Sequence, residues 1–172
     1  MSIDIQSYPG TPLSEDEILS GKVLTLYDEL RGNYAWDAGI AIGKYLAALK
    51  EGIILGAYCA TCRKTVVPPR IVCEWCFRPI TTYVPLKDTG TVMTFSLCYV
   101  TWDVKRIETP EIPAVIEIDG ASPLQGILHK ISEIKPEDMK IGMRVQAVWK
   151  SAAERNGSIT DILYFRPIGE QQ

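Results

Sequence analysis

The sequence has few of the residues and motifs from which most catalytic sites are built. Its 172 residues include a single histidine, His129, and contain no G-x-S-x-G, P-loop or G-x-G-x-x-G motif. These absences remove the usual support for nucleophilic hydrolysis, nucleotide hydrolysis and dinucleotide binding. A lone histidine in an apolar run, here residues 127–131, is more often a half-buried structural residue than a general base. We therefore expect a binding protein in which His129 has a structural role.

The sequence also lacks a long apolar run and a strong charge of either sign. No stretch reaches about 18 consecutive apolar residues, so we expect no transmembrane helix. The net charge is −3 and the isoelectric point is about 5.3, which gives no overall attraction to nucleic acid or to an anionic membrane. Residues 1–4 have neither a basic start nor an apolar run, which argues against a signal peptide. We expect a cytoplasmic, reducing location and no membrane partner.

Four of the five cysteines form two C-x-x-C pairs, Cys59 with Cys62 and Cys73 with Cys76. Each pair can fold into a turn that aims two thiolates at one point, and two such turns about ten residues apart complete a tetrahedral sulfur site. Zinc is the expected occupant, and iron can bind the same four thiolates. Because four cysteines leave the metal no open position for water or substrate, we expect the metal to be structural.

Disulfides and a redox dithiol are the alternatives for these cysteines. A reducing compartment disfavours disulfides, and a redox dithiol is usually a single C-x-x-C in a βαβ pattern. The loop between the pairs holds a short β run at residues 65–67 and then Pro68 and Pro69, as a zinc ribbon needs. The fifth cysteine, Cys98, stands in an apolar run, where we expect it to be a small core residue.

Two helices are predicted ahead of the cysteines. Ser14 with Glu17 three residues later forms a capping box, and apolar residues then recur at helical spacing to about residue 30. A second helix is expected over residues 36–51, with Gly52 as its stop. Two small helices cannot make a domain of their own. Their apolar faces must be covered by the β region that follows or by another protein.

Five strands are predicted after the cysteines, because β-forming runs alternate with turn signals. Their expected ranges are 91–102, 112–119, 124–131, 144–150 and 158–165. The first is long enough to bend and serve two sheet edges, and its alternation places Val92 and Phe95 on opposite faces. With a short helical piece at 135–140, this order fits an OB-type barrel, and a β-sandwich is the alternative.

The chain has a set of sequence landmarks in a fixed order. A helix is followed by residues 52–62, by residues 68–70 before the second cysteine pair, by residues 90–92 and by residues 141–145. These landmarks resemble those of the zinc-ribbon/OB-fold family of acyl-CoA-associated proteins. The resemblance covers roughly residues 36–167. Arg63 and Phe77 depart from the family, because a glycine is common where they follow the two cysteine pairs, and this reduces backbone freedom at both turns.

The resemblance implies a mainly β protein with N-terminal helices. Its parts would be a helical hairpin, a rubredoxin-like zinc ribbon and a five-stranded OB-fold barrel. The expected divisions are a polar arm at 1–13, helices at 14–57, the ribbon at 58–82, the barrel at 83–168 and a tail at 169–172.

The resemblance also implies a role beside enzymes. Family members accompany thiolases, HMG-CoA synthases, or hydratase-like and aldolase-like subunits, and are regarded as non-catalytic partners that help to hold or pass an acyl-CoA. The residues suit this role, because a thiolase needs an activated cysteine with a histidine and a hydratase needs an acid and a base in a closed pocket. We expect a scaffolding or substrate-bridging subunit of a complex with a thiolase-, HMG-CoA-synthase- or hydratase-type enzyme.

The ribbon is the basic part of an acidic protein, with four bases and one acid at residues 58–82. Coenzyme A phosphates favour arginines and backbone N–H groups. The nominated ligand-binding residues are Arg63, Lys64, Pro69, Arg70 and Arg78, with solvated surface charge as the alternative. Four aromatic residues are candidates to flank such a groove or to anchor a partner: Trp75, Phe77, Tyr99 and Trp102.

Binding of single-stranded nucleic acid is the alternative from a different class, because zinc ribbons and OB barrels both serve it. The barrel region, residues 83–172, carries ten bases and twelve acids, so its groove would lack electrostatic support. We therefore do not expect a nucleic-acid partner. A salt-dependent gel shift with single-stranded RNA or DNA would reverse this expectation.

Overall fold

The structure is a computed structural model that describes residues 13–23, 32 and 35–169. The chain divides into two compact units, Met1–Trp36 and Asp37–Gln172. The helices of the described residues are α1 (Glu15–Leu19) and α2 (Gly39–Lys50). Their strands are β1 (Ile54–Cys59), β2 (Lys64–Val66), β3 (Thr82–Leu86), β4 (Thr89–Phe95), β5 (Cys98–Val100), β6 (Arg106–Ile118), β7 (Gly126–Ile131), β8 (Arg144–Trp149) and β9 (Ile162–Pro167). None of the described helices is long and apolar enough to cross a membrane.

The first unit contains the predicted capping box but a shorter helix than predicted. Ser14 Oγ accepts the N–H of Glu17 at 3.3 Å, and the Glu17 carboxylate accepts the N–H of Ser14 at 2.9 Å. The helix ends at Leu19, and Gly21 follows it in the left-handed region with φ 72°. The longer helix predicted here is therefore wrong, and residues 24–31 lie outside the described residues. The predicted helical hairpin includes those residues and stays a prediction.

Helix α2 forms close to its predicted range and buries one face within the second unit. Ala41, Tyr45 and Leu49 recur every four residues and are all buried. Tyr45 and Leu49 join the main hydrophobic cluster of the barrel, so this face is covered by the chain itself. Burial raises the pKa of Tyr45 to about 12. The helix stops as predicted at Gly52, whose φ is 76° and whose N–H bonds to the Leu49 carbonyl at 2.9 Å.

Five strands close into the predicted barrel, so the sandwich alternative is wrong. The order β4-β8-β9-β7-β6 returns to its start, because β6 also pairs with β4. The pairs are antiparallel except β7 with β9, which run parallel at Ile131 and Phe165. Closure brings backbones together, and a Cβ added at Gly90 would lie 2.3 Å from the Glu117 carbonyl oxygen. The barrel interior is filled by aliphatic side chains around Phe165, which is fully buried.

The first barrel strand differs from its prediction at a β-bulge. The pairing of β4 with β6 shifts register between Val92 and Thr94. As a result Val92 is buried and Phe95 packs against the same cluster, although simple alternation placed them on opposite faces. The predicted range 91–102 is also not one strand, since β5 is separate and pairs with β6 alone.

The last predicted strand begins later than the pattern suggested. Ser158 accepts the N–H of Thr160 at 3.2 Å and caps a 3₁₀ helix, Ile159–Asp161, so β9 starts only at Ile162. The short helical piece expected before β8 is a 3₁₀ helix, Pro136–Asp138. Cys98, expected in the core, is only half-buried at the start of β5, because β5 lies outside the closed barrel.

Candidate metal centre

The four cysteines of the two C-x-x-C pairs meet at one point. Cys59 ends β1, Cys62 lies in the turn to β2, and Cys73 and Cys76 come from the loop between β2 and β3. Their sulfur atoms all lie within 4.8 Å of one another. The ribbon (β1, β2, β3 and their loops) therefore carries a four-cysteine metal-binding site.

The sulfur spacing fits a tetrahedral ion. Cys59 Sγ lies 3.7 Å from Cys76 Sγ, and Cys62 Sγ lies 3.8 Å from Cys73 Sγ. Four sulfurs about 2.3 Å from a central zinc ion at tetrahedral angles lie about 3.8 Å apart, whereas a disulfide joins sulfurs at about 2.05 Å. All five cysteines are free, so the disulfide interpretation is wrong. The convergence of four thiols rather than two also disfavours a redox dithiol.

The backbone forms similar turns at the two pairs. Arg63 and Phe77, which follow the second cysteine of each pair, have φ of 55° and 56° in the left-handed region. This conformation costs a non-glycine residue about 1–2 kcal/mol, so the surroundings must hold it in place. Backbone hydrogen bonds do so at the second turn, where the N–H of Phe77 bonds to the Cys73 carbonyl and the N–H of Cys73 to the Arg78 carbonyl, both at 2.9 Å.

The thiols perturb one another in a way that favours a cation at their centre. The hydrogen bond with Cys76 is the largest contribution that raises the pKa of Cys62 to about 12. Burial alone would raise the pKa of Cys73. The backbone N–H groups of Cys76 and Trp75 lower it by more, so that the pKa is about 7. Four thiols this close cannot all lose their protons unless a cation neutralises them. The donor set and its spacing therefore fit a divalent metal.

The nominated ligand-binding residues have different surroundings. Arg63 and Arg78 are exposed, and neither forms an ion pair within the described residues. Lys64 Nζ lies 5.9 Å from the centre of the Trp75 ring. Arg70 pairs with Glu74 at 2.5 Å, and Pro69 is fully buried. Arg70 therefore already has an acidic partner, and Pro69 can shape the backbone of the ribbon from its buried position.

The single histidine has the structural surroundings expected from the sequence. His129 is half-buried, and its ring packs edge-on against Phe165 with 5.7 Å between ring centres. Its Nδ1 accepts the N–H of Lys130 at 3.0 Å. Burial lowers the pKa of His129, which favours the neutral ring. The ring therefore contributes to the packing around Phe165.

A buried carboxylate was missed by the sequence analysis. Asp161 is fully buried and accepts three backbone N–H groups, from Asn156 at 3.2 Å, Gly157 at 2.8 Å and Ser158 at 3.1 Å. Lys150 Nζ lies 3.8 Å away. Although burial raises its pKa, these N–H groups lower it overall, so the charged form is retained. A visible signal was the spacing of a turn followed by Ser158 and, three residues later, an acid.

Comparison with known proteins agrees with this architecture. The model of the ChsH2 rubredoxin-like zinc ribbon domain matches residues 46–81, and that of the ChsH2 C-terminal OB-fold domain matches residues 83–150. A DUF35 domain-containing scaffold protein of Methanocaldococcus jannaschii is 31% identical over 118 residues, which are 67% of this chain and 82% of that protein.

Two solved structures share the fold at lower identity. A protein of unknown function from the DUF35 family of Sulfolobus solfataricus has a TM-score of 0.55 at 22% identity, covering 72% of this chain and 81% of that one. The Ltp2-ChsH2(DUF35) aldolase has a TM-score of 0.56 at 22% identity, covering 78% of this chain and 98% of the matched chain. Because both ribbon and barrel are matched in order, and a relative is similar over most of its length, the chain belongs to the DUF35 family of ChsH2-type zinc-ribbon and OB-fold proteins.

Proposed function

We propose that this chain is a non-catalytic subunit that scaffolds an acyl-CoA complex with a thiolase-, HMG-CoA-synthase- or hydratase-type enzyme. The observation that carries the proposal is the closed set of four thiols in a ribbon whose own hydrophobic cluster is small. Such a set gives a bound metal no open position for a reactant, so the metal would build a surface rather than a reaction centre. The domain limits and cytoplasmic location inferred from the sequence are part of this proposal.

Zinc is the metal we propose for Cys59, Cys62, Cys73 and Cys76. The sulfur spacing suits it, and the matched family model describes a zinc ribbon. When bound, zinc would supply folding free energy to the ribbon by holding the four thiolates. The chain itself supplies the two left-handed turns and the backbone N–H groups that keep the thiols aimed at one point.

The remaining titratable groups support a role without bond-making chemistry. His129 packs against Phe165, and Asp161 is enclosed by backbone N–H groups. Asp119 is held by Arg144, which donates to both of its carboxylate oxygens. Each of these groups has a structural partner. These contacts favour a structural rather than a catalytic role for the three groups.

The names of two similar proteins support an enzyme partner. One is called a scaffold protein, and the other is an aldolase that contains a DUF35 component. A ribbon whose four thiols can hold a structural metal suits the same type of assembly. The acyl-CoA would be contacted at the ribbon by Arg63, Lys64 and Arg78, since Arg70 is paired with Glu74.

Activity and co-purification test this proposal. The purified chain should show no thiolase, synthase or hydratase turnover, whereas co-expression with the thiolase-fold and hydratase-fold subunits of its own organism should give a stable complex of fixed stoichiometry. Size-exclusion chromatography with light scattering and enzyme assays provide the two readouts. Turnover by the isolated chain, or failure to bind any of these subunits, contradicts the proposal.

The ligand contact has a matched control within the ribbon. In the complex, Arg63→Ser combined with Arg78→Ser should weaken coenzyme A binding about tenfold or more, because each charge-assisted bond to a phosphate is lost. Arg70→Ser removes another exposed charge of the ribbon, one that is already paired with Glu74, and it should leave the affinity within about twofold. Isothermal titration that finds equal effects for both variants contradicts a phosphate contact at Arg63 and Arg78.

A further inference from the structure

A hairpin extends from the closed barrel as an arm of residues 96–111. Strand β5 pairs with the first part of β6, with Cys98 opposite Glu111 and Val100 opposite Arg106. From residue 112 onward, β6 pairs with β7 and then with β4 in the barrel. No residue of the arm is buried. An isolated two-stranded hairpin is only marginally stable in water, so this arm lacks the packing that normally supports such a structure.

The tip of the arm nevertheless forms a network of hydrogen bonds within itself. The N–H of Thr101 bonds to the Lys105 carbonyl at 2.9 Å, and the N–H of Val104 bonds to the Thr101 carbonyl at 3.0 Å. Thr101 Oγ1 donates to Asp103 and accepts the N–H of Lys105. Lys105 pairs with Asp103 at 2.6 Å. The polar groups of the tip thus satisfy one another and need no polar partner.

This turn presents apolar side chains outward at a cost in backbone energy. Trp102 is 96% exposed and Val104 is 82% exposed. Val104 has φ 63°, a left-handed conformation that a β-branched residue almost never adopts without compensation. Further along the arm, Leu97, Tyr99 and Val100 are between 37% and 46% exposed. A turn with a strained backbone and an exposed tryptophan is expected where another molecule binds and covers the tryptophan.

The charges of the arm indicate what covers it. The ion pair of Asp103 with Lys105 neutralises the tip. Farther from the tip, Glu108 and Glu111 outnumber Arg106, and the whole chain carries a net charge of −3. An anionic membrane would repel such an arm, because membrane-binding tips carry excess basic residues. The same excess of acids also opposes pairing of the arm with a second copy of itself.

We propose that Trp102 and Val104 insert into an uncharged apolar pocket on the partner enzyme. This inference rests on the proposed function for the existence of that partner, and it adds the surface through which the partner is held. Tryptophan is enriched among the few residues that dominate binding energy, and an anchor that is rigid before binding loses little conformational entropy on docking.

Removal of the anchor side chain tests the proposal. Trp102→Ser should raise the Kd for the thiolase-fold or hydratase-fold subunit of the same organism about 30-fold or more, as is typical of a hot-spot tryptophan. Because Trp102 is 96% exposed, the fold should be unchanged. Trp36→Ser, which removes a tryptophan that is 89% exposed outside the arm, is the matched control and should change the Kd less than about twofold. Biolayer interferometry gives both constants.

Other outcomes overturn the inference in distinguishable ways. If wild-type protein binds the subunit and Trp102→Ser binds it equally well, the arm is not the anchor, although the proposed function stands. Equal losses in both tryptophan variants indicate general adhesion and also overturn it. Trp102-dependent binding to phosphatidylserine vesicles, or Trp102-dependent self-association by sedimentation, assigns the arm to a membrane or to a second copy instead. If wild-type protein binds no such subunit, the proposed function and the inference both fail.

Discussion

In the described part of the chain, the main cluster buries sixteen hydrophobic residues, most of them in the barrel, with Tyr45 and Leu49 from α2 and Ile54 and Val67 from the ribbon. The second cluster lies wholly in the ribbon and buries five, of which two are the metal ligands Cys59 and Cys73. A fully buried aliphatic side chain contributes about 1.5–3 kcal/mol, while ordering each residue costs about 1–2 kcal/mol in backbone entropy. The barrel can offset this entropy by burial. The ribbon's own cluster is too small to do so, and a metal held by its four converging thiols would supply the missing stabilisation.

Metal removal should have the largest effect and should separate the two regions. A chelator, or Cys73→Ser, should unfold the ribbon with a loss on the order of 10 kcal/mol, because metal binding supplies most of its folding free energy. The barrel should stay folded. Hydrogen exchange followed by NMR would show lost protection in β1–β3 and retained protection in β6–β9. Cys98→Ser removes the one cysteine outside the site and serves as the control.

Ribbon amides that stayed protected from hydrogen exchange without metal would contradict the difference between ribbon and barrel. Loss of protection across the whole chain would also contradict it, since the barrel would then depend on the metal as well.

A cavity in the barrel should destabilise the barrel and leave the ribbon and its metal intact. The loss of stability should be smaller than that caused by metal removal. Phe165 is fully buried at the centre of the main cluster, so Phe165→Ala should destabilise the barrel by about 3–5 kcal/mol. Leu163→Ala on the same strand removes a side chain that is 39% exposed and should cost much less. Urea denaturation measures both. Metal content should be unchanged in either variant, and loss of the metal in Phe165→Ala would show that ribbon and barrel are coupled.

A partly exposed ion pair should make the smallest contribution to stability, and this contribution should depend on pH. Arg144 donates to Asp119 and lowers the pKa of that carboxyl to about 2. Because the pKa of Asp119 in the folded state lies below its ordinary value of about 3.9, its stabilisation is complete above about pH 4 and is lost as the pH falls towards 2. Asp119→Asn should cost about 1–2 kcal/mol at pH 7 and flatten this part of the profile.

Urea midpoints between pH 7 and pH 2 measure this effect. Asp138→Asn, at an exposed carboxyl in the 3₁₀ helix before β8, is the control and should leave the profile unchanged. An Asp119→Asn profile that falls as steeply as the wild-type profile would contradict the assignment.

The features that could be predicted from the sequence are those encoded by local spacing. The two C-x-x-C pairs predicted the four convergent thiols, and Gly52 predicted the end of α2. Both features depend on residues that are a few positions apart in the chain. The closed barrel followed from the order of strands and turns, and the resemblance to a known family supported it.

The features that were missed depend on contacts between distant residues. The bulge at Val92 shifts the pairing of β4 with β6, and alternation within one strand contains no information about its partner. The burial of Asp161 requires the turn before it and Lys150 on β8 to enclose it. The predicted length of the first helix was wrong for a local reason, since Gly21 takes a left-handed conformation although the apolar residues around it have helical spacing.

The central claim is that a metal held by four thiolates maintains the fold of the ribbon in a subunit that scaffolds a partner enzyme. Its most direct test is the metal content of freshly purified, reduced protein, measured by inductively coupled plasma mass spectrometry beside a thiol assay. The account predicts one zinc ion per chain in the wild-type protein and no bound zinc in the Cys59→Ser or Cys76→Ser variant. Wild-type protein that is folded, reduced and free of both zinc and iron would contradict it.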